Sequence, residues 1–318
     1  MSNFIIRQDG PSSVVADNLW EIRLGAGTFL AGVLAGAFGI AVAGRYLKGR
    51  GEQGGGARTP KGWPVNFAHR GGAKVVPENT IEGFREGLRL GAGVIELDVH
   101  ATADGHVVVI HDPTVDRTTD GTGPIREMTL AEAKRLDAGY EFTPDEGKTY
   151  PCRGKGVKIP TLEEVYAEFS GVPINIEIKG KRSGIEEAVW RVIADAEARE
   201  RTLVVSEDSD TIRRFREASD GKVATASSSP ELISFWLLSL LRLSGLARPS
   251  YQAIQGPETY KGLLRIVTPE LVRAAHERGL RVDVWTIDEE PAMRRLLGFG
   301  VDGIMTDRPD VLTRVLQG

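Results

Sequence analysis

The stretch VIELDVHATADGHVVVIHD, residues 94–112, decides how this chain is read. Along a strand from Val94 to Val99, side chains alternate between two faces. Glu96 and Asp98 therefore share one face, and Ile95, Leu97 and Val99 share the other. The apolar row must be covered. Acidic residues on the opposite face invert the pattern of an ordinary half-buried strand, so both faces are expected to be covered, as in an interior strand of an α/β protein. Two carboxylates on one covered face repel each other and lose hydration, and a divalent cation is the most economical way to keep both ionised.

Three further stretches repeat the theme of polar groups at the end of an apolar run. FAHRGG, residues 67–72, places His69 and Arg70 there, and VVVIHD, residues 107–112, places His111 there. INIEIKG, residues 174–180, again sets Glu177 and Lys179 on one face and Ile174, Ile176 and Ile178 on the other.

Around these stretches strands and helices alternate. Strands are expected at 66–69, 94–99, 107–111, 174–179, 202–206, 223–226, 251–254, 281–286 and 303–306. Asn79 is expected to cap the first helix, with Glu82 three residues on, and Thr161 with Glu164 repeats that signal. Pro230 and Pro269 each fall in the first turn of a later helix. Roughly eight strand–helix units predict a (β/α)8 TIM barrel. A doubly wound open sheet is the alternative, weakened because no glycine-rich dinucleotide fingerprint follows the first strand. Residues 113–158, rich in Thr, Asp and Gly, read as an insertion after the third strand. In a barrel of this kind reactive groups gather at the C-terminal ends of strands, where His69, Glu96, Asp98, His111, Glu177, Lys179 and Trp285 fall.

HRGG, then PENT at 77–80, ELD at 96–98, HD at 111–112, EIK at 177–179 and VWT at 284–286 resemble the glycerophosphodiester phosphodiesterase family in order and spacing. The resemblance runs from about Val65 to the C-terminus. It implies a TIM barrel that hydrolyses a glycerophosphodiester to glycerol 3-phosphate and an alcohol. It also implies that Glu96, Asp98 and Glu177 bind the cation and that His69 and His111 are the general acid and base. Arg70 and Lys179 would contact phosphate, with Glu78 and Asn79 supporting the site. Oxygen-only ligands favour Mg²⁺ or Ca²⁺ over zinc. Two imidazoles near their ordinary pKa can exchange protons near neutrality. The attacking oxygen is either the substrate's own 2-hydroxyl or water. Trp285 is expected to form a wall against substrate carbons. An inactive barrel that only binds phosphate esters is the alternative of another class, and retention of both histidines and all three acids speaks against it.

The 318 residues, 41% hydrophobic and 26% charged, suit one large barrel, and a net charge of -4 gives no support to a nucleic-acid partner. Cys152 is the only cysteine, so no intrachain disulfide can form. Residues 1–23 read as a short polar tail. LGAGTFLAGVLAGAFGIAVAG, residues 24–44, contains no charged side chain and is long enough for a single transmembrane helix. Residues 45–62 read as a Gly-rich linker, and 63–318 as the barrel. Arg45, Lys48, Arg50, Arg58 and Lys61 after the span outnumber Arg7 and Arg23 before it, which predicts a cytoplasmic catalytic domain. The alternative is a signal peptide cleaved near Ala43, which would place the barrel outside the cytoplasm.

Residues 232–246 are almost uniformly apolar around Trp236 and Leu237. They read either as an outer barrel helix or as a membrane-facing lip that admits one acyl chain. In the second case the substrate is a lysophospholipid and the reaction that of a lysophospholipase D. A weaker resemblance to membrane-anchored members of the family with that activity points the same way.

Overall fold

The structure, a computed structural model, describes residue 62 and residues 65–179, 184–260 and 262–318. The tail, the apolar run at 24–44 and the linker apart from Gly62 lie outside the described residues. No helix among the described residues is long and apolar enough to cross a membrane.

The strands are β1 (Asn66–Ala68), β2 (Val94–Ala101), β3 (Val107–Val109), β4 (Ile174–Ile178), β5 (Thr202–Val205), β6 (Ala224–Thr225), β7 (Ala253–Pro257), β8 (Thr259–Tyr260), β9 (Leu264–Arg265), β10 (Arg281–Trp285) and β11 (Gly303–Thr306). The helices are α1 (Ile81–Arg89), α2 (Leu130–Ala133), α3 (Leu162–Glu168), α4 (Ile185–Asp195), α5 (Ser209–Ala218), α6 (Ser229–Leu240), α7 (Pro269–Glu277), α8 (Glu290–Phe299) and α9 (Pro309–Gln317). Eight parallel strands pair in the order β6-β5-β4-β2-β1-β11-β10-β7. A parallel bridge from Ala226 to Ala253 brings the two ends of that row together, so the sheet is nearly closed. This is the expected barrel. Its mouth is the end to which the parallel strands point.

The inverted pattern has the predicted cause. Ile95, Leu97 and Val99 face outward into a core with Ile174, Ile176, Ile178 and residues of α3, α4 and α5. Glu96 and Asp98 face the barrel interior, and every residue of β2 is buried. Below them Phe67, Val94 and Met305 plug the interior, with Trp285 packed against them.

Two expectations need correction. Residues 107–111 do not supply a barrel strand: β3 folds back antiparallel on β2, with Val99 opposite Val109. Its partner is the adjacent strand because the turn at Asp104–Gly105 is too short for a parallel crossover. The insertion at 113–158 therefore leaves from a hairpin. Its Val115, Ile125, Ala138 and Val157 form a small separate core with Val108 and Ile110. Second, the cap of α1 is Thr80, whose hydroxyl accepts from the Gly83 amide, and not Asn79. Asn79 takes a left-handed backbone (φ 56°) that frees its side chain for the site. Helix α6 leaves the mouth end of β6 and runs toward the opposite end of the barrel. Its Phe235 and Trp236 are buried, while Leu240, Leu241, Leu243 and Leu246 are exposed at the far end of that run. Ile233, near the start of α6, is exposed as well, and Phe235 and Trp236 pack the segment as an outer barrel helix.

Candidate active site

Strand register assembles the acidic group. β2 and β4 are adjacent with Asp98 opposite Glu177 and Glu96 opposite Asn175. One carboxylate oxygen from each of Glu96, Asp98 and Glu177 lies within 4.8 Å of the others. Burial, with the Asp98 charge beside it, pushes the Glu96 carboxyl up to about 7. Burial also raises Glu177, against the opposing charge of Lys179. For Asp98, burial works in the same direction but is outweighed by Lys179, Arg70 and His111, which hold its carboxyl below the usual range. Oxygens bound at roughly 2.0–2.6 Å from one hard cation lie at most about 4–5 Å apart, so these residues are close enough to hold one divalent cation. Lys179 Nζ lies 2.8 Å from Glu177 Oε1 and 3.5 Å from Asp98 Oδ1, completing a compact group of alternating charge.

β1 runs beside β2 with Ala68 opposite Ile95, which carries the next residues, His69 and Arg70, alongside Glu96. They form a single 3₁₀ turn in which Arg70 has φ 52°. That backbone aims the Arg70 amide at Glu96 Oε2, 2.9 Å away. Its guanidinium donates to Glu78 Oε1 at 3.2 Å, and Nε lies 3.3 Å from Asp98 Oδ2. Asn79 Nδ2 donates to Asp98 Oδ2 at 3.0 Å, and its carbonyl oxygen accepts from the Asp98 amide at 3.3 Å. The left-handed turn at Asn79 thus fixes the carboxylate at both its backbone and its side chain.

Each histidine is held by a carboxylate through Nδ1. His69 Nδ1 is 2.6 Å from Asp307 Oδ1, and His111 Nδ1 is 2.6 Å from Asp112 Oδ1. Burial alone would lower the pKa of His69. The Asp307 hydrogen bond and the charges of Glu96 and Asp307 outweigh burial and leave it raised. Asp307 was missed in the sequence. It follows β11, and pairing of Ala68 with Thr306 sets it beside His69, 238 positions away. Asp288 Oδ1 accepts from the Asp307 amide at 2.8 Å and from the Thr306 hydroxyl at 2.9 Å, while Lys74 Nζ lies 2.8 Å from Asp288 Oδ2. A polar residue just past the last strand, in the pattern already used for His69 and Lys179, was the available signal.

Hydrogen bonds and ion pairs thus link Arg70, Glu78, Asn79, Glu96, Asp98, Glu177 and Lys179 into one network, and His69, held by Asp307, feels the Glu96 charge beside it. His111 reaches the mouth from the hairpin, not from the end of a barrel strand, and joins the network through Asp112. Trp285 stands at the mouth end of β10, opposite Pro257, partly buried on the interior plug and making none of these polar contacts. Just beyond β7 the β8–β9 hairpin exposes Tyr260 and Leu263, the latter 93% accessible.

Comparison with known proteins gives a consistent result. Residues 69–311 match the Glycerophosphoryl diester phosphodiesterase family. A glycerophosphodiester phosphodiesterase of Caldanaerobacter subterraneus is 38% identical over 258 residues, 79% of this chain and 97% of that protein. The mouse lysophospholipase D GDPD1 is 27% identical, covering 79% of this chain and 86% of its own. Among solved structures, an Oleispira antarctica phosphodiesterase in complex with the product sn-glycerol-3-phosphate superposes with a TM-score of 0.64 at 26% identity. That match covers 80% of this chain and 98% of the other.

Proposed function

Since the chain belongs to the glycerophosphoryl diester phosphodiesterase family, a family of phosphoric diester hydrolases, we propose that it hydrolyses glycerophosphodiesters to glycerol 3-phosphate and an alcohol, with His69 and His111 exchanging protons beside a cation held by Glu96, Asp98 and Glu177. The observation that carries this reading is the approach of three carboxylate oxygens to within 4.8 Å between two carboxylate-backed imidazoles. A divalent cation at that position would supply Lewis-acid stabilisation of charge developing on the phosphoryl oxygens. Arg70 and Lys179 add two cationic donors and orient the phosphate. One imidazole takes the proton of the attacking oxygen, either water or the substrate's own 2-hydroxyl, as the new P–O bond forms; in the second case water then opens the cyclic phosphate to give glycerol 3-phosphate. The other gives a proton to the alcohol oxygen as the old P–O bond breaks. Asp307 and Asp112 keep Nδ1 protonated on each ring, so that Nε2 is the atom that exchanges. Trp285 forms a wall for substrate carbons, and Glu78 and Asn79 support the site.

The test is choline release from glycerophosphocholine by the full chain. Alanine at His69 or at His111 should lower kcat by roughly 10²–10⁴-fold. A chelator should abolish turnover, and Mg²⁺ or Ca²⁺ should restore it. Choline release that survives both the chelator and loss of either histidine contradicts the reading.

A second substrate, a lysophospholipid, is favoured by Tyr260 and Leu263 at the rim, where one acyl chain could lie. Replacing both with Ser should lower activity on lysophosphatidylcholine and spare glycerophosphocholine. Equal losses on the two substrates would count against it.

A further inference from the structure

We propose that Arg117, which the insertion carries back to the mouth, is a positioning residue: it clamps Asp112 to Glu78 and so aims His111 and Arg70 at the same phosphodiester. The inference deepens the reading above and rests on His111 being catalytic. A single guanidinium serves both carboxylates. Nε donates to Asp112 Oδ2 at 2.6 Å and Nη2 to Asp112 Oδ1 at 3.3 Å. Nη1 donates to Glu78 Oε2 at 2.7 Å and Nη2 to Glu78 Oε1 at 2.8 Å. Only a planar fork can hold two carboxylates this way; an ammonium group offers one point of charge.

Each carboxylate has a second task. Asp112 Oδ1 accepts from His111 Nδ1, and Glu78 Oε1 accepts from Arg70 Nη1, whose Nε in turn lies beside Asp98. A continuous path therefore runs His111–Asp112–Arg117–Glu78–Arg70–Asp98. It links the histidine that arrives on the hairpin to the phosphate-binding arginine and the acidic trio on the barrel. Without Arg117, Glu78 and Asp112 would repel each other. Asp112, about a quarter exposed, would also be free to rotate toward water and release the imidazole. Arg117 itself is 47% exposed and fills no core space, so its removal should leave the barrel folded. The same path gives the inserted segment a task in the active site.

The experiment compares Arg117→Ala, Arg117→Lys and His111→Ala in the full chain with glycerophosphocholine, alongside thermal unfolding of each. For Arg117→Ala, kcat should fall roughly 10–100-fold with KM changed by less than about threefold. Lys should restore little, and added guanidinium ion should restore part of the lost kcat. If Arg117→Ala turns over at the wild-type rate, raises only KM, or is indifferent to guanidinium while His111→Ala is inactive, the positioning role is overturned and the catalytic reading stands. If His111→Ala keeps its turnover, the catalytic reading itself fails.

Discussion

Glu96 is buried beside Asp98, and its carboxyl is pushed up to about 7 because neither burial nor its neighbour favours a second charge. The consequence for stability has a definite sign. In the unfolded chain this group titrates near ~4.3. Between that value and about 7 the folded state holds a proton that the unfolded state releases. Stability from this group is therefore full at low pH and lost as pH rises through about 7. A cation would take the proton's place. The gain in melting temperature on adding Mg²⁺ or Ca²⁺ should accordingly be larger at pH 8 than at pH 5.5, and Glu96→Gln should flatten that difference. Calorimetric scans at the two pH values decide it. Asp307 is the other informative residue. As its carboxylate fixes the His69 ring, Asp307→Asn should lower kcat on glycerophosphocholine by roughly 10–100-fold, with KM little changed. Steady-state kinetics check this, and an unchanged kcat would show that His69 needs no such partner.

At the scale of elements, the turn that carries His69 and Arg70 lies pressed on helix α1 by three glycines. A Cβ on Gly83 would come within 2.4 Å of the Pro77 carbonyl oxygen, and one on Gly87 within 2.4 Å of the Gly71 carbonyl oxygen. Gly71, at φ 91°, would itself meet the α1 backbone at 2.9 Å. The helix therefore serves as the bed for the turn, and the turn sets the Arg70 amide on Glu96. Gly87→Ala should destabilise the fold by about 1–3 kcal/mol through overpacking, measured by denaturant titration. It should also lower kcat even under conditions where the protein is fully folded, because relieving the clash moves the turn and α1 apart. Full activity in folded Gly87→Ala would show that the turn tolerates displacement. The hairpin β2–β3 shows the same dependence on local geometry: a short turn folds β3 back on β2, and His111 reaches the mouth from outside the ring.

At the scale of the whole molecule, the site rests on a buried polar floor contributed by distant strands. Arg281 Nη2 donates to Asp283 Oδ1 at 2.7 Å, and Gln255 Nε2 bridges Asp283 Oδ2 at 3.1 Å and Asn175 Oδ1 at 2.9 Å. Arg281 and Asp283 are both almost wholly buried. Asp283→Ala deprives Arg281 of its buried carboxylate and should cost about 3–5 kcal/mol. Equilibrium unfolding would show this as a lowered midpoint, whereas a change within error would mean the floor is not a stability element. The inverted alternation of residues 94–99 and 174–179, the strand–helix rhythm and the two strand-end histidines were legible from the sequence alone. Periodicity and side-chain chemistry are local properties, and they pointed to a barrel whose acid-bearing strands are covered on both faces. The pairing of Asp98 with Glu177, the support of His69 by Asp307, the reversal of β3 and the bridge made by Arg117 were decided only by tertiary structure. Each depends on register between segments far apart in the chain or on a turn's direction, and a hydrophobic pattern fixes which face a side chain takes but not which neighbour it meets.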